Sequence, residues 1–83
     1  MKHLCQAIIW SACFLELSDD DVVDPDAAVK ALEDIAAALQ SATDEEKRAF
    51  IAECAAEARR LQAKPEYAAT ADFVRNLASY AGL

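Results

Sequence analysis

Glycine, histidine and proline are almost absent from this chain of 83 residues. Gly82 is the only glycine and His3 the only histidine, while Pro25 and Pro65 are the only prolines. A phosphate-binding loop needs several glycines, and a multi-histidine metal site needs more than one imidazole, so the sequence excludes both kinds of site. Turn residues for a strand-rich fold are also missing. Alanine, the strongest helix former, fills 20 positions, so the composition favours an all-helical protein.

Cysteine is scarce as well, and its spacing is irregular. Cys5, Cys13 and Cys54 are odd in number and lack the repeated short spacing of a zinc ribbon or a secreted disulfide framework. Cys5 and Cys13 would lie about 12 Å apart on one helix, which is beyond the reach of a disulfide bond. We therefore expect free, buried thiols that pack like small hydrophobic side chains in a reducing cytoplasm.

The side chains needed for catalysis or metal binding are also missing. His3 and Cys5 are two positions apart on a helix and would face different ways, so they do not form a nucleophile and its base. The aspartate-rich run fails as a calcium-binding EF-hand, because Asp24 stands where that loop needs glycine and Lys30 where it needs glutamate. We predict no enzymatic activity, no metal ion and no cofactor.

The longest apolar run, residues 4–17, is too short for a membrane span. A transmembrane helix needs about 20 apolar residues, and Gln6, Ser11 and Glu16 interrupt this run. A signal peptide would need an uninterrupted apolar stretch followed by a cleavage site with small residues. We therefore predict a cytoplasmic protein that does not contact a membrane.

Apolar spacing and helix-start signals predict four helices. The expected ranges are 2–17, 25–41, 44–63 and 66–80. Asp24 can cap the second helix, with Pro25 at its first position, and Thr43 with Glu46 forms a capping box for the third. Pro65 separates the third helix from the fourth. Because the connections are short, we predict one all-α domain over residues 1–83, a compact antiparallel four-helix bundle.

The first helix is apolar nearly all round, which is typical of a helix packed on several sides. We expect it in the middle of the bundle, with Trp10 filling the core. Ile8 of this helix, Leu32 of the second helix and Ile51 of the third are also expected to be buried. The many alanines predict small gaps between the helices and no room for a cofactor.

The formal net charge is −7, and one segment holds the whole imbalance. We name residues 16–34 the acidic segment. It carries eight acidic residues and one basic residue, Lys30, whereas the rest of the chain has equal numbers of acidic and basic residues. Such acidity opposes binding to nucleic acid and favours a basic protein partner. The predicted partner-binding residues are Glu16, Asp19, Asp20, Asp21, Asp24, Asp26, Glu33 and Asp34. The alternative is a solvated surface that binds nothing.

The length, four short helices, acidity and the run Leu17-Ser18-Asp19-Asp20-Asp21-Val22-Val23-Asp24-Pro25 together resemble the small acidic helical immunity proteins that bacteria make against their own toxins. The resemblance implies a protein that neutralises a cognate toxin by covering a basic active site with its acids. The helix-start signals, Pro65 and the four apolar stripes predict a bundle that is a monomer or a weak homodimer. Two alternatives stay open. One is a helical adaptor or oligomerisation module that binds through apolar surface, and the other is an acidic mimic of nucleic-acid phosphates.

Overall fold

The computed structural model describes all 83 residues, and its secondary structure is entirely helical. The elements are α1 (Lys2–Leu17), α2 (Pro25–Gln40), α3 (Asp44–Gln62), a short 3-10 helix (Pro65–Tyr67) and α4 (Ala68–Tyr80). The predicted all-α fold with four helices is therefore confirmed. The one difference in kind is the first turn of the predicted fourth helix, which is a 3-10 turn because the backbone at Lys64 is extended and Pro65 begins the turn.

Both predicted helix-start signals are present. The Asp24 carboxylate accepts a hydrogen bond from the Ala27 amide at 2.9 Å, so it caps the first turn of α2. The Thr43 hydroxyl accepts from the Glu46 amide at 3.1 Å, and the Glu46 carboxylate accepts from the Thr43 amide at 2.8 Å. These bonds satisfy amide groups that have no partner inside a helix, which fixes where α2 and α3 begin.

α1 is the central helix of the fold. It packs against each of the other three α-helices, whereas α2 makes few contacts with α3 or α4. The core residues are Cys5, Ile9, Ala12, Cys13, Leu39, Phe50, Cys54, Ala58, Val74, Leu77 and Ala81. Ile8 and Leu32 are only partly buried against this core. The contacts of α1 with all three other α-helices confirm its predicted central place, whereas Ile8 and Leu32 are less buried than predicted.

Two predictions about burial are wrong. Trp10 does not fill the core, because the neighbours of α1 cover only the side that carries Cys5, Ile9 and the residues one turn on. Ile51 lies at the edge of the buried side of α3 and is exposed. With only three other helices, the chain cannot enclose a central helix on all sides, and small domains leave much surface uncovered for this reason.

The three cysteines are free and buried, as the sequence predicted. Burial raises the pKa of the Cys13 thiol to about 11 and that of Cys54 to about 12. Burial also raises the pKa of Cys5. Because a reactive cysteine needs its thiolate form, these side chains act as small core hydrophobes.

Candidate functional site

The most unusual surface of the protein is the solvent-facing side of α1. We name it the outer face, and its residues are Leu4, Ala7, Trp10, Ser11, Phe14 and Leu17, all of which are exposed. They recur every three or four positions, so they line one side of the helix, opposite the buried Ile9. The exposed fractions are 68% for Leu4, 45% for Trp10, 55% for Phe14 and 42% for Leu17.

No charged side chain interrupts the outer face. Ser11 is its only polar member, and His3 and Gln6 lie one turn before Ala7 and Trp10. Glu16 lies on another side of α1, in the cleft between α2 and α4. A surface helix normally carries polar or charged residues opposite its buried side. A continuous exposed apolar surface is typical of a binding site.

A groove borders the outer face on its α2 side. It encloses about 470 Å³. Its apolar walls include Leu4 and Ala7 of α1, Ala38 of α2, the following Ala42, and Phe50 of α3. We name it the N-terminal groove, because it lies at the end of α1 where that helix begins. Ile35 and Leu39 of α2 also line this groove, and Glu46 is its one charged residue.

A second groove borders the outer face at the other end of α1. It encloses about 520 Å³ and lies between α1 and the segment that joins α3 to α4. Trp10, Phe14 and Leu17 form one wall, and Leu61 and Tyr67 stand opposite. We name it the C-terminal groove. The two aromatic side chains of α1 thus form a ridge beside it.

A third, apolar cleft of about 320 Å³ separates α2 from α4, above α1. The prediction of small gaps throughout the bundle is wrong here. The gap persists because α2 packs mainly on α1, and only Gln40 joins it to the end of α4, by a 2.8 Å hydrogen bond to the Ala81 carbonyl oxygen. Phe73 and Leu77 line the α4 side of the cleft, and Glu16 is its only charged residue.

All eight acids of the acidic segment are exposed. Asp24 serves as the helix cap, and Asp34 pairs with Lys30 at 2.7 Å, which raises the pKa of that lysine. The other six form no side-chain hydrogen bond or ion pair. They are Glu16, Asp19, Asp20, Asp21, Asp26 and Glu33. Because a binding site and a merely solvated surface are both exposed, the exposure of these acids does not distinguish the two interpretations.

The acidic segment adjoins the outer face directly. Leu17 ends α1 and lines the C-terminal groove together with Ser18, and three aspartates follow at once. The loop is shaped by hydrogen bonds from the Val22 and Val23 amides to the Asp19 carbonyl oxygen. An apolar surface therefore has an acidic border at one end.

Two of the basic residues outside the acidic segment, Arg60 and Arg75, form ion pairs with acids. Arg60 contacts the Glu53 carboxylate at 2.7 Å and also pairs with Glu57, a buried residue. Arg75 pairs with Asp72 at 2.7 Å. Arg60 and Arg75 are therefore neutralised locally and do not form a basic surface.

No three histidine, cysteine, aspartate or glutamate side chains lie together in a way that would hold a metal ion. None of the helices combines the length and the apolar character needed to cross a membrane.

Comparison of the chain with protein-family models, with curated proteins and with solved structures finds no match. The resemblance to immunity proteins therefore stays a prediction.

Proposed function

We propose that this protein is a protein-binding module whose contact surface is the outer face of α1. The observation that carries the proposal is a fully uncharged helix face on which Trp10 and Phe14 are each about half exposed. Protein interfaces combine an apolar centre with a polar rim, and aromatic residues contribute most of their binding energy. The outer face supplies such a centre.

The acidic segment supplies the rim at one end of this surface. Three of its unpaired carboxylates, those of Asp19, Asp20 and Asp21, come one residue after Leu17, so a partner lying along α1 would meet them. Charged rims mainly speed the encounter and fix its orientation, whereas the apolar centre sets how long the complex lasts. The matching partner therefore presents an apolar strip flanked by lysine or arginine.

Capture from the native host tests this proposal. Immobilised wild-type protein should retain a partner that Phe14→Glu loses, because a buried charge at the centre of an interface is costly. Ile51→Glu is the matched control, since Ile51 is similarly exposed but lies on α3 and borders neither groove. Loss of the partner with both variants, or with neither, would contradict the outer face as the contact surface.

Toxin neutralisation by the acidic segment is the second candidate function. The six unpaired carboxylates support it, because they are free to pair with the lysines and arginines of a basic active site. The same capture experiment separates the two candidates. Under this second function Asp20→Lys combined with Asp21→Lys loses the partner, and Phe14→Glu retains it. A bound enzyme whose activity stays unchanged would contradict neutralisation.

A further inference from the structure

We infer that the cleft between α2 and α4 binds a small apolar amine, with the hydrocarbon part of the ligand between the two helices and its ammonium group at Glu16. We name this space the α2–α4 cleft. It encloses about 320 Å³, and Glu16 is the only residue lining it that is not hydrophobic. No residue of the outer face lines it, so the inference does not rest on the proposed function.

The floor of the α2–α4 cleft is one stripe of α1. Ile8, Ala12 and Glu16 line the cleft and recur every four positions, so they lie on the same side of the helix. They span about 12 Å along α1, because an α-helix rises about 1.5 Å per residue. The floor is therefore apolar over most of its length and carries one carboxylate at its end.

The two ends of the cleft differ. Leu39 lines both this cleft and the N-terminal groove, so it lies towards the start of α1. At that end the hydrogen bond from Gln40 to the Ala81 carbonyl oxygen joins the two walls. Glu16 stands at the other end, where α1 finishes and the acidic segment begins. An extended ligand would therefore lie with its apolar end towards Leu39 and its polar end towards Glu16.

Charge determines which ligands fit this arrangement. The Glu16 carboxylate forms no ion pair within the protein, and no lysine or arginine lines the cleft. An ammonium group can therefore pair with Glu16, whereas the carboxylate of an anionic ligand would meet only like charge. The cleft thus favours a cation with a hydrocarbon body over an anion of the same shape.

Two aromatic rings on the α4 wall add to the preference for a cation. Phe73 and Tyr80 both line the cleft, and their ring centroids are 6.3 Å apart. Phe73 lies about two turns before Ala81, and hence towards the end of the cleft where Glu16 stands. Aromatic faces attract ammonium groups through cation–π contacts. An ammonium group at this end would have a carboxylate on the floor and an aromatic ring on the wall.

The size of the cleft favours a small molecule over a segment of another protein. Small-molecule sites typically enclose about 300–1,000 Å³, and the α2–α4 cleft lies at the lower end of that range. A peptide helix about 10 Å wide and as long as the floor would need roughly 900 Å³. The occupant that fits is therefore an amine with a single alkyl chain or a single ring.

Titration of the full chain with octylammonium, octanol and octanoate tests the inference, with two-dimensional NMR as the readout. Octylammonium should bind most tightly and octanoate least. The amide shifts should be largest at residues that line the cleft, such as Leu32 and Phe73. The inference would be overturned by octanoate binding as tightly as octylammonium, by octylammonium shifts that do not saturate, or by shifts concentrated on the outer face.

Glu16→Gln separates the ion pair from the apolar contact. It should weaken octylammonium binding about two- to five-fold, as expected for a solvent-exposed ion pair, and leave octanol binding unchanged. Glu45→Gln is the matched control, because Glu45 is exposed and lies away from the cleft, and its replacement removes the same charge. Equal effects of the two replacements on octylammonium binding would mean that Glu16 does not hold the ammonium group, and would overturn the site.

Ala36→Phe tests the cleft itself. Ala36 is partly buried on the α2 wall, so a phenyl ring there should fill the cleft and abolish the binding of octylammonium and octanol alike. Ala37→Phe is the control, since Ala37 is exposed and does not line the cleft, and it should bind both ligands as the wild type does. Circular dichroism checks that the variants fold. A folded Ala36→Phe chain that still binds octylammonium would overturn the inference.

Discussion

The side-chain amide of Gln40 donates a hydrogen bond to the carbonyl oxygen of Ala81 across 2.8 Å. It is the only hydrogen bond that joins α2 to a helix distant in the chain. Gly82 follows at once with a φ of 82°, and a β-carbon there would lie 2.7 Å from the Gln40 amide nitrogen. Gln40 and Gly82 therefore act together to hold α2 to the end of α4.

Replacing both Gln40 and Gly82 should lower the free energy of unfolding by less than the sum of the two single replacements. Gln40→Ala should lower the free energy of unfolding by about 0.5–1.5 kcal/mol through the lost bond. Gly82→Ala should lower it by about 1–2 kcal/mol through backbone strain, and should further displace Gln40. The double variant has no Gln40 amide that the new β-carbon could displace. Its loss of unfolding free energy, measured by urea unfolding, should therefore be smaller than the two single losses added together. Strict additivity would contradict the coupling.

The two sides of α1 should respond differently to truncation. Ile9 is fully buried, so Ile9→Ala should lower the free energy of unfolding by about 2–5 kcal/mol. Phe14 is more than half exposed. Phe14→Ala in dilute protein should therefore change the free energy of unfolding by no more than about 0.5 kcal/mol. Urea unfolding at one low protein concentration compares the two. Equal losses would mean that Phe14 is buried.

The buried thiols should make stability depend on alkaline pH. Because the folded pKa values of Cys13 and Cys54 are raised to about 11 and 12, from 9.0, their contribution is fully present below pH 9. Above that pH the unfolded chain ionises first, so stability falls as pH rises towards 11–12. The wild type should lose stability more steeply than Cys54→Ala in thermal melts across this range. Parallel curves would show that Cys54 keeps an ordinary pKa.

The acidic segment should contribute to binding and not to the fold. Asp20→Lys with Asp21→Lys should leave the melting temperature unchanged or raise it, because these exposed acids repel one another. The same variant should associate more slowly with a basic partner, as surface plasmon resonance would show.

Asp24→Ala is the control for the acidic segment, since losing the cap of α2 should cost about 0.5–2 kcal/mol of stability whether or not a partner binds. An unchanged association rate for the double lysine variant would mean that Asp20 and Asp21 are only solvated.

Local signals in the sequence are enough to predict where α2 and α3 begin. Asp24 and Thr43 cap α2 and α3 through bonds that span three residues, and such bonds depend on nothing else in the chain. The fold class followed for the same reason, since alanine-rich segments with these caps have no competing structure.

The outer face could not be predicted, because the side of α1 that stays uncovered depends on how the other helices pack. The sequence predicts Trp10 in the core because it lies on a helix that is apolar nearly all round. A hydrophobic pattern shows that a helix can be buried on several sides, but not which of them its neighbours occupy. The small number of contacts between α2 and α4 likewise arises from tertiary packing, which the sequence of either helix alone does not indicate.

Acrylamide quenching of Trp10 fluorescence tests the central claim most directly, because Trp10 is the only tryptophan and lies on the outer face. Dilute protein should be readily quenched, and saturation with a captured partner should protect the indole and shift its emission to shorter wavelength. The Ile51→Glu chain should behave identically. A tryptophan that resists quenching in dilute protein, or that is quenched equally in the complex, would contradict the outer face of α1 as the binding surface.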